Sequence, residues 1–537
     1  MSMNKRTVTI LAAFAFSGAS ALIYEVIWTR ALSLVLGSTT YALSTMLSTF
    51  MAGLMLGGYF GGKLADRRTD LPRLFGLSEA GIGITALLTL PLIYELPAFY
   101  LYVYRTFHLS PAIFIAFQFV ICCMIMLIPT TLMGFTFPLV SRSITQDLGN
   151  MGSQVGNAYA ANTFGAIIGA ASAGFILLPY AGIKASIFTA AGMNLMVSAV
   201  VLLAFGGGRK TLSLIVILFA AMGSVAAQAE EKTTFLTFYT ALRFPDSVPA
   251  KALVSAKQAD HELLYYREHP EGAVRLYRER GGFLLLQTGG KLEGTTKGDM
   301  PNTLLLAHLP VAAHPKPSSM LVVGLGVGVT LGAAKEDLRD VELVEINPGV
   351  VEAIRRFGPP GLMDGVVTHI DDARQYLFRT DRKFDIISSE PSYPSDAAIA
   401  NLFTKEYYEL ARERLNPGGI YCQWLPYYIL RDEDMEMMSA TFGSVFRHVM
   451  VWKVNNSLDR IMIGSMTPFS FAPGDIAQRI KGLNKSGYDL APVLSRGPEQ
   501  IAALVQRGDI PINTDDRPIL EFRTVRNIIA GGAHAGQ

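Results

Sequence analysis

The stretch MLVVGLGVGVTLGAAKEDLRDVELVE, residues 320–345, decides the fold of the carboxy-terminal half. Its apolar run Met320–Gly324 predicts a buried strand, and GLGVGVT (Gly324–Thr330) a tight turn into a helix that carries Ala333 and Ala334. A second strand, VELVE (Val341–Glu345), ends on a carboxylate. Glycine lets the chain turn sharply and brings backbone close to a nucleoside, and an acid ending the second strand accepts hydrogen bonds from ribose hydroxyls. Gly324, Gly326, Gly328 and Glu345 are therefore candidate nucleoside-binding residues. The spacing is GxGxG rather than the GxGxxG common at NAD sites, and it is the form usual for S-adenosylmethionine-type cofactors.

Outward from this stretch the βα alternation continues. A helix is expected from Pro348 to Arg356, then a strand VVTHI (Val366–Ile370) followed by Asp371 and Asp372. A fourth strand, FDIIS (Phe384–Ser388), leads into SEPSYP, and a fifth, GIYCQW (Gly419–Trp424), follows the turn Asn416–Pro417–Gly418. Strands alternating with helices give a doubly wound, Rossmann-like α/β domain over residues 316–537. Asp372 has two readings, a contact to the adenine amino group and the N-cap of the next helix; both stay open. Upstream, AVRLYRE (Ala273–Glu279) and FLLLQ (Phe283–Gln287), set between glycine pairs, predict a small β-hairpin subdomain over residues 261–315.

Residues 1–228 are different in kind. Half of the 537 residues are hydrophobic and 17% are charged, but the charge is uneven: 1–228 holds 12 Lys/Arg and 6 Asp/Glu, a net of +6, and the remainder −4. About seven apolar spans are expected, near Thr7–Trp28, Thr39–Gly62, Phe75–Ile93, Ala112–Val140, Asn157–Tyr180, Ala185–Phe205 and Leu212–Ala227. Pro129 predicts a kink or partial unwinding in the fourth. GLMLGGYFGG (Gly53–Gly62) and GAIIGAASAG (Gly165–Gly174) predict close helix packing. Basic residues Lys5, Arg6, Lys63, Arg67, Arg68, Arg73, Arg142, Arg209 and Lys210 fall on one side if the amino terminus is cytoplasmic. Seven spans then lead, through a linker at 229–260, to a periplasmic soluble domain, although a cytosolic nucleoside donor argues for the other side. Glu25, Glu79, Asn162 and Asn194 are polar groups inside apolar spans, and intramembrane carboxylates default to functional hypotheses. Three cysteines and eight scattered histidines show no disulfide framework or metal-ligand spacing, so no metal and no nucleic-acid partner is expected.

Together these stretches resemble the fused spermidine synthase family, in which a multi-pass membrane segment precedes a spermidine-synthase-like domain of methyltransferase type. The resemblance rests on SGASALIYEVIWTR (Ser17–Arg30), LMGFTFPLV (Leu132–Val140), GNAYAANTFGAIIG (Gly156–Gly169), VGLGVGVT (Val323–Thr330), VEINPGVVEA (Val344–Ala353), SEPSYP (Ser389–Pro394), LFTKEYYELARERLNPGG (Leu402–Gly419) and NTDDRP (Asn513–Pro518). It implies transfer of an aminopropyl group from decarboxylated S-adenosylmethionine to an amine, with Glu390 as the catalytic acid after the fourth strand. Gln423, Tyr427 and Tyr428 are then expected in the same crevice. Three departures stand out. Val327 occupies the place of the aspartate in the family's glycine loop, Tyr393 that of a substrate-binding aspartate, and LQTGGKL (Leu286–Leu292) lacks the aspartate of the family's LDGxxQ segment. An ammonium ion in such a pocket lacks its countercharge. A methyltransferase using S-adenosylmethionine on a membrane or exported substrate is one alternative. A nucleoside- or polyamine-binding transporter or sensor is another, since GGYFGGKLADRR (Gly57–Arg68) resembles the cytoplasmic loop of major facilitator transporters. The implied partners are membrane lipid and a small-molecule amine, in an inner membrane, with a homo-oligomer as the assembly to test.

Overall fold

The computed structural model describes residues 5–107, 109–145, 150–206, 208–229, 261–455 and 457–530. The chain divides into two compact units, one over 1–238 and 246–254, the other over 239–245 and 255–537. Nearly all of the expected linker lies outside the described residues.

The first unit is helical: α1 (Lys5–Leu36), α2 (Thr40–Arg67), α3 (Leu71–Phe107), α4 (Pro111–Ile144), α5 (Met151–Ser172), α6 (Leu178–Ala204) and α7 (Arg209–Gln228). Thr39 caps α2 by accepting from the Ala42 N–H. The sharp break is not at Pro129, because α4 runs through it; the hydroxyls of Thr130 and Thr131 bond the carbonyls of Met126 and Leu127 one turn back. Instead a π-helical turn, Ala173–Leu177, joins α5 to α6, and Gly182 (φ 74°) interrupts α6 itself. Six stretches are long and apolar enough to cross a membrane, and one of them is the 54 residues Met151–Ala204. At about 1.5 Å per residue that stretch far exceeds a hydrocarbon core of about 30 Å. The interruption at Gly182 divides it into two legs, which is why the sequence reads as about seven spans.

Glycines set the helix contacts. A Cβ on Gly57 of α2 would lie 2.0 Å from the Thr131 carbonyl oxygen of α4, and one on Gly165 of α5 would lie 1.7 Å from the Ala15 carbonyl oxygen of α1. Only glycine permits such backbone approach.

The second unit begins with an antiparallel sheet of β1 (His261–Arg267), β2 (Val274–Glu279), β3 (Leu284–Thr288) and β4 (Lys291–Thr295), in that spatial order. Then come α8 (Met300–Ala313), β5 (Ser319–Val323), α9 (Val329–Asp337), β6 (Asp340–Glu345), α10 (Pro348–Phe357), β7 (Val367–Ile370), α11 (Ala373–Arg379), β8 (Phe384–Ser389), α12 (Lys405–Glu413) and β9 (Leu415–Leu425). Helix α13 (Asp432–Gly443) precedes β10 (His448–Lys453), β11 (Arg460–Ser465) and β12 (Val493–Arg496). The large sheet has the order β12-β10-β11-β9-β8-β5-β6-β7. Strands β9, β8, β5, β6 and β7 are parallel, and β11, β10 and β12 add antiparallel pairs at one edge.

All five strands read from the sequence are present. The edge strands β10 to β12 are not legible there, because runs such as RIMIGS show no alternation. Helix α8, inside the expected hairpin segment, buries Leu305, Leu306, Leu309 and Ala312 in one core with Leu276 and Leu286 of the small sheet and Met320, Val322 and Ile386 of the large one. Residues 261–315 and 316–537 thus share a core. Because the chain order reverses on either side of β5, a crevice opens at the carboxyl ends of β5 and β8.

Candidate active site

The glycine turn leaves β5 as the sequence predicts. Gly324, Gly326 and Gly328 hold φ of 88°, 51° and 87°, where side chains are strained. A Cβ on Gly324 would also lie 3.1 Å from the Glu390 carbonyl oxygen. Gly328 is the residue from which α9 starts.

Glu345 ends β6 and reaches back to this loop. Its Oε2 accepts from the Leu325 N–H and its Oε1 from the Asn347 N–H, each at 2.9 Å. Burial raises the Glu345 carboxyl above its usual range, against these backbone donors. The carboxylate therefore shapes the glycine loop, and with Ile346 as a third backbone donor it keeps about one lone-pair site for a ribose hydroxyl. Asp372 is the N-cap of α11, accepting from the Gln375 N–H at 2.9 Å. One oxygen suffices for the cap, so capping and adenine contact are compatible.

Glu390 follows β8, its N–H bonded to the Val323 carbonyl at the end of β5. It lines an open cleft of about 470 Å³ together with Leu292, Glu293, Asp299, Asn302, Ser392, Tyr393, Trp424, Tyr428 and Asp459. Four of these are carboxylates, and among the described residues no lysine, arginine or histidine joins the lining. The nearby Lys291 lies 2.9 Å from Asp396 and 3.9 Å from Glu293. Burial pushes the Glu390 carboxyl up to about 8, the Thr330 hydroxyl opposes the rise, and Asp299, Asp459 and Glu293 add to it. The Thr330 hydroxyl oxygen lies 2.9 Å from the Thr303 carbonyl and 3.1 Å from Glu390 Oε2. One hydroxyl hydrogen cannot serve both. A protonated Glu390 that donates to Thr330, while Thr330 donates to Thr303, satisfies every group.

The other carboxylates are anchored. Trp424 Nε1 donates to Asp459 Oδ1 at 3.2 Å, and Ser457 Oγ donates to Oδ2 at 2.7 Å, with Asn302 Nδ2 on the same oxygen. Glu293 accepts from Thr288 and Asp299 from the Thr295 N–H. Among the described residues, Asn302 Oδ1 and Ser392 Oγ find no hydrogen-bond partner, and both are buried. Tyr393, Trp424 and Tyr428 form an aromatic wall, with Tyr393 and Tyr428 edge to face at 6.2 Å and their hydroxyls 3.0 Å apart. A lining of four carboxylates and three aromatic faces, with no lysine, arginine or histidine in it among the described residues, suits an organic cation.

Tyr393 and Tyr428 line this cleft; Gln423 and Tyr427 are not among its lining residues. Gln423 is fully buried on β9 and bonds Tyr421, because alternation along the strand turns it into the core. Tyr427 bonds Asp432 and lies under the Arg460 guanidinium, 4.2 Å from its ring centre. Sequence reasoning missed Glu293, Asp299, Asn302, Trp424 and Asp459. Glu293 directly follows the LQTGGKL segment. Asp459 sits in the turn between two strands whose pairing has no local signal.

Residues 301–458 match the family model described as the spermine/spermidine synthase domain. A spermidine synthase of Dictyostelium discoideum is 34% identical over 162 residues, which cover 29% of this chain and 56% of that protein. A polyamine aminopropyltransferase of Oceanobacillus iheyensis is 25% identical over 307 residues, covering 55% of this chain and 56% of the relative. A putrescine N-methyltransferase of Nicotiana attenuata is 28% identical over 196 residues, covering 34% and 53%. The chain spans about half the length of these curated relatives. Among solved structures, a spermidine synthase in complex with the transition-state analogue AdoDATO is 19% identical, with a TM-score of 0.38 over 45% of this chain and 84% of the other. Three of the four cleft carboxylates, Glu293, Asp299 and Asp459, lie outside the stretch that the family model matches.

Proposed function

From a carboxy-terminal half that carries a spermidine synthase domain, we propose that the chain is a membrane-embedded aminopropyltransferase that acts on a diamine or polyamine. The observation that carries this reading is a cleft lined by four carboxylates and three aromatic side chains, with no lysine, arginine or histidine in the lining among the described residues. It offers an ammonium group the countercharge that Val327 and Tyr393 do not. The sulfonium nucleoside lies on the glycine loop, its ribose on Glu345 and its adenine beside Asp372. An entering ammonium ion draws the proton off Glu390, since an opposite charge within about 4–6 Å favours the ionised carboxylate. The acceptor amine, relieved of its own proton by Glu390, attacks the carbon bonded to sulfur. The new C–N bond forms as the C–S bond breaks, and neutral methylthioadenosine leaves.

Methyl transfer from S-adenosylmethionine is the second reading, favoured by the putrescine N-methyltransferases among the relatives. The full-length protein in detergent, given putrescine and each nucleoside separately, separates the two. Methylthioadenosine is the expected product; S-adenosylhomocysteine alone supports methylation, and neither product overturns both. Glu390→Gln is expected to abolish turnover while nucleoside binding is retained.

The membrane assignment is supported by large apolar side chains facing outward on the helical unit, among them Phe175 at 77% exposure and Leu203 at 65%. Seven crossings with the basic loops on the cytoplasmic face support a periplasmic catalytic unit, and a cytosolic nucleoside donor supports the opposite side. Labelling of single cysteines in intact cells tests this.

A further inference from the structure

The helical unit holds a group that the transferase reading leaves unused. Glu79 and Asn194 are polar residues in separate apolar helices, and the fold joins them. Asn194 Nδ2 donates to Glu79 Oε2 at 2.7 Å and to Ser20 Oγ at 2.9 Å. Tyr24 donates to Asn194 Oδ1 at 2.9 Å, and Ser17 Oγ lies 2.5 Å from Glu79 Oε1. The groups come from α1, α3 and α6, and Glu79 is 0% exposed. One turn beyond Asn194 on α6, Ser198 Oγ is buried with no hydrogen-bond partner among the described residues.

A carboxylate has about four lone-pair sites, and here two are met. No lysine, arginine or histidine bonds Glu79 among the described residues, and Tyr24 is the one other titratable group in the network. An enclosed anion without a countercharge costs several kcal/mol, and such a group takes up a proton instead.

We propose that Glu79 is a proton-binding site at the centre of the helical unit. In the closed packing Glu79 holds the proton on Oε1 and donates it to Ser17 Oγ, while Oε2 keeps the Asn194 donor. Loss of the proton leaves an anion two donors short, which the contact of α1, α3 and α6 as it stands does not supply. Proton release is therefore coupled to loosening of that contact. Intramembrane carboxylates in polar networks serve as proton relays in this way.

The full-length protein in lipid nanodiscs provides the test. Infrared difference spectra across a pH series are expected to contain the carbonyl stretch of a protonated carboxylic acid, lost at high pH and absent from Glu79→Gln. Dicyclohexylcarbodiimide, which attacks protonated carboxyls in apolar surroundings, is expected to modify Glu79 at low pH, with loss of the adduct as pH rises. A spectrum identical in wild type and Glu79→Gln overturns the proposal. So does protection of Glu79 by sodium or potassium without any acid band, which marks a metal-cation site instead. Should Glu79→Gln fail to accumulate, the wild-type pH series decides alone, and absence of the band at every pH refutes the assignment.

Discussion

Binding of a diamine should expel a proton from Glu390, and the number expelled follows from the structure. With its carboxyl pushed up to about 8, Glu390 in the empty cleft is about 0.9 protonated at pH 7 and about 0.1 at pH 9. An ammonium ion at close range lowers a carboxyl by roughly 1–3 units, so a value near 6 in the complex is a fair midpoint. The wild type then releases about 0.8 proton per diamine at pH 7 and about 0.1 at pH 9. The same linkage tightens binding roughly 25-fold between pH 6 and pH 8. Calorimetry of putrescine binding in buffers of different ionisation enthalpy counts the protons directly. Glu390→Gln removes the titrating group and keeps the shape, so the difference between the two proteins cancels any proton that the amine itself exchanges. Equal proton counts in wild type and Glu390→Gln at pH 7 would refute the reasoning. So would an affinity gap between them that ignores pH.

The empty protein gives a second, opposite-signed signal. A carboxyl raised from 4.5 to about 8 by folding contributes stability that is whole below pH 4.5 and is lost as pH rises through 8. Relative to wild type, Glu390→Gln should gain roughly 2–3 kcal/mol between pH 5.5 and 7.5; thermal melts with a constant gap would count against a protonated Glu390. Glu345→Ala leaves the Leu325 and Asn347 N–H groups unmet, at about 1–3 kcal/mol each. Nucleoside affinity should fall at least about tenfold, and titration showing wild-type affinity would remove Glu345 from the site. Asp459→Asn should raise the apparent KM for putrescine about tenfold or more, the weight of a countercharge in a desolvated pocket. The donor's KM should stay unchanged, and an equal rise in both would place Asp459 in general folding instead. Gly165→Leu drives a side chain into the Ala15 carbonyl and should lower the yield of folded protein, read by size-exclusion profile; a wild-type profile would mean that α1 and α5 do not pack so closely.

The division between what the chain states locally and what it states only when folded is sharp. The glycine loop, the strand before it and Glu345 are legible because a turn into a helix and a strand-end acid are local patterns with local causes. The apolar helices are legible for the same reason: length and composition act along the chain. The directions of Gln423 and Tyr427 are not legible in the sequence, because alternation along β9 and the chemistry of the turn after it decide them, and both depend on partners that β11 and α13 supply. The acidic cleft belongs wholly to the tertiary structure. Glu293, Asp299, Glu390 and Asp459 span 167 positions, and what makes them one site is the sheet order that sets β11 beside β9 and β9 beside β8, together with the core that the small sheet shares with the large one. Glu79 and Asn194 make the same point in the helical unit. Each reads as a polar residue in an apolar helix, and only packing reveals that they hold one another. Periodicity and turn chemistry are written in neighbouring residues; charge, burial and proton affinity are set by whatever the fold brings within a few ångströms.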